Sequence, residues 1–182
     1  EPLEFSDTMG VPFQYKTLVV IGPKDTVPQN HFNYLDEFLN RGGRLLVALN
    51  TVAGDFNTGM GNKIFTGFET WLKQKGIEVE ENFVIDASCS NIMVRQQQGQ
   101  FMMNTPVQFP YLPAITNFTE HPITDGIVSV VLIFASPIRL TPTDTSIVMF
   151  PLAVTSEKSG IQNPPLAFDV MKQWTLSDFT LS

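Results

Sequence analysis

Cysteine is almost missing from this chain. Cys89 is the only one in 182 residues, so no internal disulfide can form and the paired spacings of zinc or redox sites are absent. That leaves the redox compartment undecided. Positive charge is also scarce, with 11 Lys and Arg against 18 Asp and Glu, a formal net charge of −7, and no basic cluster. Nucleic acid and anionic membranes are bound through a concentrated positive field, so the charge argues against both as partners. Long hydrophobic runs are lacking too. The longest strongly apolar stretch, residues 127–135, is about half of the ~18 residues that cross a bilayer, so no membrane span is expected. Residues Glu1, Pro2, Leu3 and Glu4 offer no initiating Met, basic segment or apolar segment of a signal peptide, which predicts a piece of something longer.

What is present describes an ordinary globular domain. The chain is 43% hydrophobic and 16% charged, fitting one domain over residues 1–182. Residues 17–21, Thr-Leu-Val-Val-Ile, form an unbroken apolar run ended by Gly22 and Pro23, read as a parallel strand buried on both faces. Pro28 opens a helix at little cost, and Phe32, Leu35, Phe38 and Leu39 give it one apolar stripe. Gly42 and Gly43 end it, and residues 44–49 repeat the strand pattern, completing a strand, helix, strand crossover. Residues 50–63 read as a surface loop. Ile64, Phe65, Phe68, Trp71 and Leu72 predict a second amphipathic helix, and residues 80–86 a third strand.

Beyond Asp86 the texture changes. Residues 87–125 form a proline-rich excursion, in which Pro106, Pro110 and Pro113 exclude a long helix and short extended pieces flank Gln96, Gln97, Gln98 and Gly99. Residues 126–135, 147–154 and 166–170 are each apolar enough for a late core strand. No helical period separates them, so this half reads as antiparallel or mixed, completing the sheet begun by a parallel core over residues 15–86.

An ordered set of motifs points further. Leu18-Val19-Val20-Ile21-Gly22-Pro23-Lys24 precedes Gly42-Gly43-Arg44-Leu45-Leu46-Val47; after these come Gly76-Ile77, Val84-Ile85-Asp86, Phe109-Pro110-Tyr111-Leu112-Pro113, His121-Pro122-Ile123-Thr124 and Pro151-Leu152-Ala153-Val154-Thr155-Ser156. Over roughly residues 15–156 the chain resembles the extracytoplasmic region of the gliding-motility-associated ABC transporter auxiliary family, GldG-like, within the ABC-type uncharacterised transport auxiliary proteins. The resemblance implies a periplasmic domain of an inner-membrane protein, with ABC permease and ATPase subunits as partners. It implies an α/β fold: a flavodoxin-like three-layer sandwich with parallel N-terminal strands and a mixed or antiparallel C-terminal extension. It also implies a non-catalytic auxiliary role, without cofactor or metal. Because the related amidotransferases share that architecture, the alternative is a divergent amidotransferase-like hydrolase using Cys89.

Individual residues sharpen these expectations. Cys89 has no flanking glycine to relieve a nucleophile elbow and is followed by extended sequence, so a partly buried free thiol is the plainer reading. His31 and His121 are the only bases that titrate near neutrality; the first is expected to face solvent and the second to shape a turn through a ring nitrogen. Asn50, Asp55, Asn57 and Lys63 lie on the loop leaving the carboxyl end of a strand, where open α/β sheets bind ligands, though the glycine spacing there is not that of a phosphate loop. The acidic groups, Asp36 with Glu37 and Glu78 with Glu80 and Glu81, are expected to face water. Phe101, Met102, Phe109 and Tyr111 combine aromatic rings, a thioether and neighbouring prolines. Exposed, they would mark a partner-binding surface; folded back, they would cover a sheet edge.

Overall fold

The computed structural model describes residues 3, 9–98, 101–142 and 146–179. The start of the chain at Glu1, Pro2 and Glu4, and Gly99 with Gln100 in the expected excursion, lie outside the described residues. The elements run in order: β1 (Thr17–Ile21), α1 (Gln29–Asn40), β2 (Arg44–Ala48), β3 (Val52–Asp55), β4 (Met60–Lys63), α2 (Phe68–Gln74), β5 (Ile77–Val79) and β6 (Phe83–Asp86). Then come β7 (Cys89–Gln98), β8 (Phe101–Ile115), β9 (Asn117–Phe118), β10 (Val130–Val131), β11 (Ile138–Leu140), β12 (Ala153–Val154), β13 (Ser159–Gln162) and β14 (Leu166–Ala167).

The opening crossover forms as its periodicity predicts. β1 and β2 pair in parallel, Thr17 opposite Arg44 through Ile21 opposite Ala48. α1 buries Phe32, Leu35 and Phe38, and its apolar stripe shares a cluster with Leu18, Val20, Leu45 and Val47. The opposite face of this pair carries exposed Val19, Ile21 and Leu46. An apolar run does not report how many of its faces are covered; here one is.

The flavodoxin-like α/β sandwich is therefore not the fold of this chain, which is mainly β. Among the described residues the parallel sheet stops at two strands and no second helical layer covers it. Every other pairing is antiparallel and belongs to a separate small sheet: β3 with β4 and β14, β5 with β11, β6 with β13, β9 with β12, and β8 with β7 and β10. The physical reason lies immediately after β2. Instead of entering another helix, the chain turns through the β3–β4 hairpin, and β6 takes an antiparallel neighbour from far along the sequence.

The late strands correct the same expectation. Of residues 126–135 only Val130–Val131 are strand, and residues 127–133 are mostly exposed; Phe134 alone is buried. It reaches the core from a left-handed backbone, φ 55°, a conformation that costs a non-glycine residue about 1–3 kcal/mol and persists only where packing enforces it. Here the Phe134 ring stacks on Phe168 at 5.2 Å between centroids. Residues 147–154 contribute only Ala153–Val154, and residues 166–170 only Leu166–Ala167.

Among the described residues two hydrophobic clusters hold the chain. One joins α1, α2 and β1–β2 around Phe32, Leu35, Phe68, Trp71 and Leu72. The other gathers Val52, Phe83, Ile85, Phe109, Tyr111, Phe134 and Phe179 from strands distant in sequence. α2 starts at Phe68 rather than Ile64 because Glu69 folds back over its entrance. The carboxylate accepts the Thr66 amide at 2.9 Å, the Thr66 hydroxyl at 2.8 Å and the Gly67 amide at 2.8 Å, an arrangement that satisfies donors a helix start otherwise leaves open.

Candidate interaction surface

β7 and β8 form a long antiparallel ribbon, running from Asn91 opposite Gln108 to Gln98 opposite Phe101 after a register shift near Cys89. Its two ends differ. From Phe109 to Pro113, β8 is buried beside β6; from Phe101 to Asn104 it is exposed. The prolines fit the strand because the second edge of β8 carries ladder bonds only from Tyr111 onward, leaving no amide needed at Pro106 or Pro110.

The aromatic and thioether group of the sequence thus splits by depth. Phe101 and Met102 stand at the free end, 76% and 59% exposed, whereas Phe109 and Tyr111 are 2% and 6% exposed within the aromatic cluster. Tyr111 packs edge-on against Phe83 and Phe168. Burial pushes its phenol up to about 12, and the charge of Asp178 adds to the effect. The segment is exposed at Phe101 and Met102 and buried at Phe109 and Tyr111. From Gln96 to Thr119 the chain contains no Asp, Glu, Lys or Arg, so the exposed end offers mainly apolar and amide surface, with Arg95 opposite Asn104 as its one charge.

Asn50, Asp55, Asn57 and Lys63 fall along the β3–β4 hairpin, not on an open loop. Asn50 donates to the Ile133 carbonyl at 2.9 Å, and Lys63 pairs with Glu81 at 2.5 Å. Asp55 closes the turn, accepting the Asn57 amide at 2.8 Å and the Thr58 hydroxyl at 3.0 Å; these bonds hold its carboxyl below the usual range. Since Val52 opposes Lys63 and Asp55 opposes Met60, Lys63 sits at the base of the hairpin and Asp55 at its tip, and the four side chains do not converge.

Cys89 begins β7 rather than a strand-to-helix turn. Burial pushes its thiol up, Asp86 adds to this, and a backbone hydrogen bond from Phe109 offsets part of it. A nucleophilic cysteine needs the opposite shift. His121 shapes the turn at His-Pro-Ile-Thr: its Nδ1 accepts the Ile123 amide at 3.2 Å, while the Thr124 hydroxyl donates to the Thr119 carbonyl at 2.6 Å. His31 is half-buried against Tyr34, with ring centroids 6.3 Å apart, rather than facing solvent. Among the described residues no group of three or more His, Cys, Asp and Glu could hold a metal ion.

Two carboxylates have structural duties that the sequence does not announce. Asp36, expected to face water, accepts Trp71 Nε1 at 3.1 Å and Lys75 Nζ at 2.5 Å, fastening α1 to α2. Asp86, fully buried, binds Ser88 and Ser156. Of their partners only Ser88 is near its carboxylate in sequence, so an Asx-type turn could have hinted at the role of Asp86, and nothing local announces that of Asp36.

Among the described residues no helix is long and apolar enough to cross a membrane. No curated protein and no solved structure matches the chain significantly. The model of the family described as ABC-type uncharacterized transport system matches residues 1–182, its full length. The chain accordingly belongs to that family and is an auxiliary component of an ABC-type transport system.

Proposed function

We propose that this auxiliary component is non-catalytic and acts by holding a protein partner, the permease of its transport system, at the free end of the β7–β8 ribbon. The observation that carries the reading is the exposure of Phe101 and Met102 in a stretch with no charged residue. Water-exposed aromatic and thioether side chains gain most when a partner surface removes them from solvent, and the one ionic group at that end, Arg95, lies on the neighbouring strand. Placement outside the cytoplasm and a link to gliding motility belong to the same proposal and rest on the motif resemblance.

The test is direct binding of the chain to the purified permease subunit of its own system. Changing Phe101 and Met102 together to Ser weakens binding at least about tenfold, equivalent to ~1.4 kcal/mol, while Phe65→Ser, at an exposed position on another part of the molecule, leaves it unchanged. Equal binding by both variants would refute the reading. External protease on intact spheroplasts is expected to cleave the native protein if the domain faces the periplasm.

A further inference from the structure

The turn that follows His121 holds the only Asp-Gly step in the sequence, Asp125-Gly126. Its frame is firm. Buried Thr124 donates its hydroxyl to the Thr119 carbonyl at 2.6 Å, and the Ile127 amide closes the turn on the Thr124 carbonyl at 3.1 Å. Inside that frame the two central residues are exposed, and neither the Asp125 carboxylate nor the Gly126 amide has a hydrogen-bond partner among the described residues. The turn itself accounts for the open amide, because a four-residue turn uses only the donor of its last residue. Gly126 stands at φ +76°, and an added Cβ would meet nothing within 4 Å.

We propose that Asp125 is a site of covalent self-modification, converting to isoaspartate through a cyclic imide with the Gly126 nitrogen. That nitrogen attacks Asp125 Cγ; a C–N bond forms, and one carboxyl oxygen leaves as water with the amide hydrogen and a proton from solvent. Water then opens the five-membered ring. Breaking the new bond restores aspartate, whereas breaking the original peptide bond leaves the main chain running through Cβ and Cγ, with one more carbon in the backbone. Water is the only co-reactant. Glycine leaves the attacking nitrogen unshielded by a Cβ, its amide has no bond to give up, and the open space lets the ring close without displacing a neighbour. Other carboxylates lack this combination: Asp55, Asp86, Asp169 and Asp178 are held by amide donors, and Asp25 precedes β-branched Thr26. The added carbon enters the turn just before β10, so the pairing of Val130 and Val131 with Ile115 and Ala114 of β8 is what it disturbs.

The folded chain, held at neutral pH and physiological temperature in heavy-oxygen water and then mapped by mass spectrometry, reads the outcome. Residue 125 is expected to gain one heavy oxygen, and part of it to accept a methyl group from S-adenosylmethionine through a protein isoaspartyl methyltransferase. Asp125→Glu, whose ring would need six members, loses both signals, and Gly126→Ala loses most of each. No heavy oxygen at residue 125 of the folded chain overturns the proposal, including the case in which the urea-unfolded chain takes it up, since the fold would then protect the site. So does labelling of Asp25 as fast as Asp125, or a Gly126→Ala rate equal to that of the wild type. None of these results bears on transport-partner binding, which Phe101 and Met102 report.

Discussion

The carboxylate of Asp86 and the side chain of Ser156 meet at the buried end of β6. Ser156 donates its hydroxyl to Asp86 Oδ1 at 2.5 Å and its amide to Oδ2 at 2.8 Å, and the Ser88 amide donates to Oδ1 at 2.8 Å. Two sequence motifs 70 residues apart are thereby joined beside the β6–β13 pairing. A buried carboxylate is tolerable only when its lone pairs are occupied, and its removal strands the donors around it. Asp86→Ala is expected to lower the unfolding free energy by about 3 kcal/mol and Ser156→Ala by about 1.5 kcal/mol. The double variant should lose less than the sum, which urea titration of all four proteins measures; strict additivity would contradict the contact.

Gly76 ends α2 with φ +84°, and a Cβ there would stand 2.3 Å from the Thr141 carbonyl oxygen. That carbonyl belongs to backbone tied down by the Thr141 amide, which donates to the Gly76 carbonyl at 2.8 Å. Gly126 has a similar φ, +76°, but nothing within 4 Å of the added atom. Gly126→Ala is expected to cost about 1 kcal/mol, the left-handed penalty alone. Gly76→Ala should cost at least about 2 kcal/mol more, because the β5–β11 junction must shift as well. Thermal melts of the two variants compare them, and equal melting temperatures would remove the steric argument.

Tyr111 and Asp178 tilt stability against pH in opposite directions. The folded Tyr111 phenol sits at about 12 against an ordinary value of 10.0, so the folded state holds its proton where the unfolded chain has lost it. Its contribution is complete below about pH 10 and fades as pH rises toward 12. Asp178 is held at about 2 against 3.8, first by the hydrogen bond from Lys172 and then by those from Thr175. Its contribution is present above about pH 4 and fades as pH falls toward 2. Tyr111→Phe is expected to flatten the alkaline limb of stability against pH and leave the acid limb as it was; an unchanged alkaline limb would place the titration elsewhere.

The crossover from Thr17 to Ala48 was legible because its signals are local: two apolar runs, one helical stripe, and glycines where the helix stops. The start of α2 was legible in principle, since Thr66 and Glu69 have the spacing of a capping box, but the apolar positions at Ile64 and Phe65 masked it. The flavodoxin-like sandwich was not there to be read. Residues 126–133 are as apolar as β1, yet they lie exposed, because hydrophobicity marks what gains from burial and not whether another layer is present to bury it.

The candidate surface shows the same division. That Phe101, Met102, Phe109 and Tyr111 share a segment without charge was set by the sequence. That the first two project and the last two pack beneath Phe83 was decided where β8 passes from the side of β6 into the open ribbon. Asp36 likewise became a clamp only when α2 brought Trp71 and Lys75 to it.

Chain order and composition by themselves determined the parallel pair with its helix, the proline-limited extended segment, the acidic balance and the single thiol, since each depends on neighbours within a few turns of backbone. Tertiary structure alone decided which apolar stretches became core, how the strands were shared among separate sheets, and which carboxylates were buried with partners. Those outcomes depend on contacts between residues 30 to 85 positions apart, whose closure is governed by the competing packing of the whole chain rather than by any local preference.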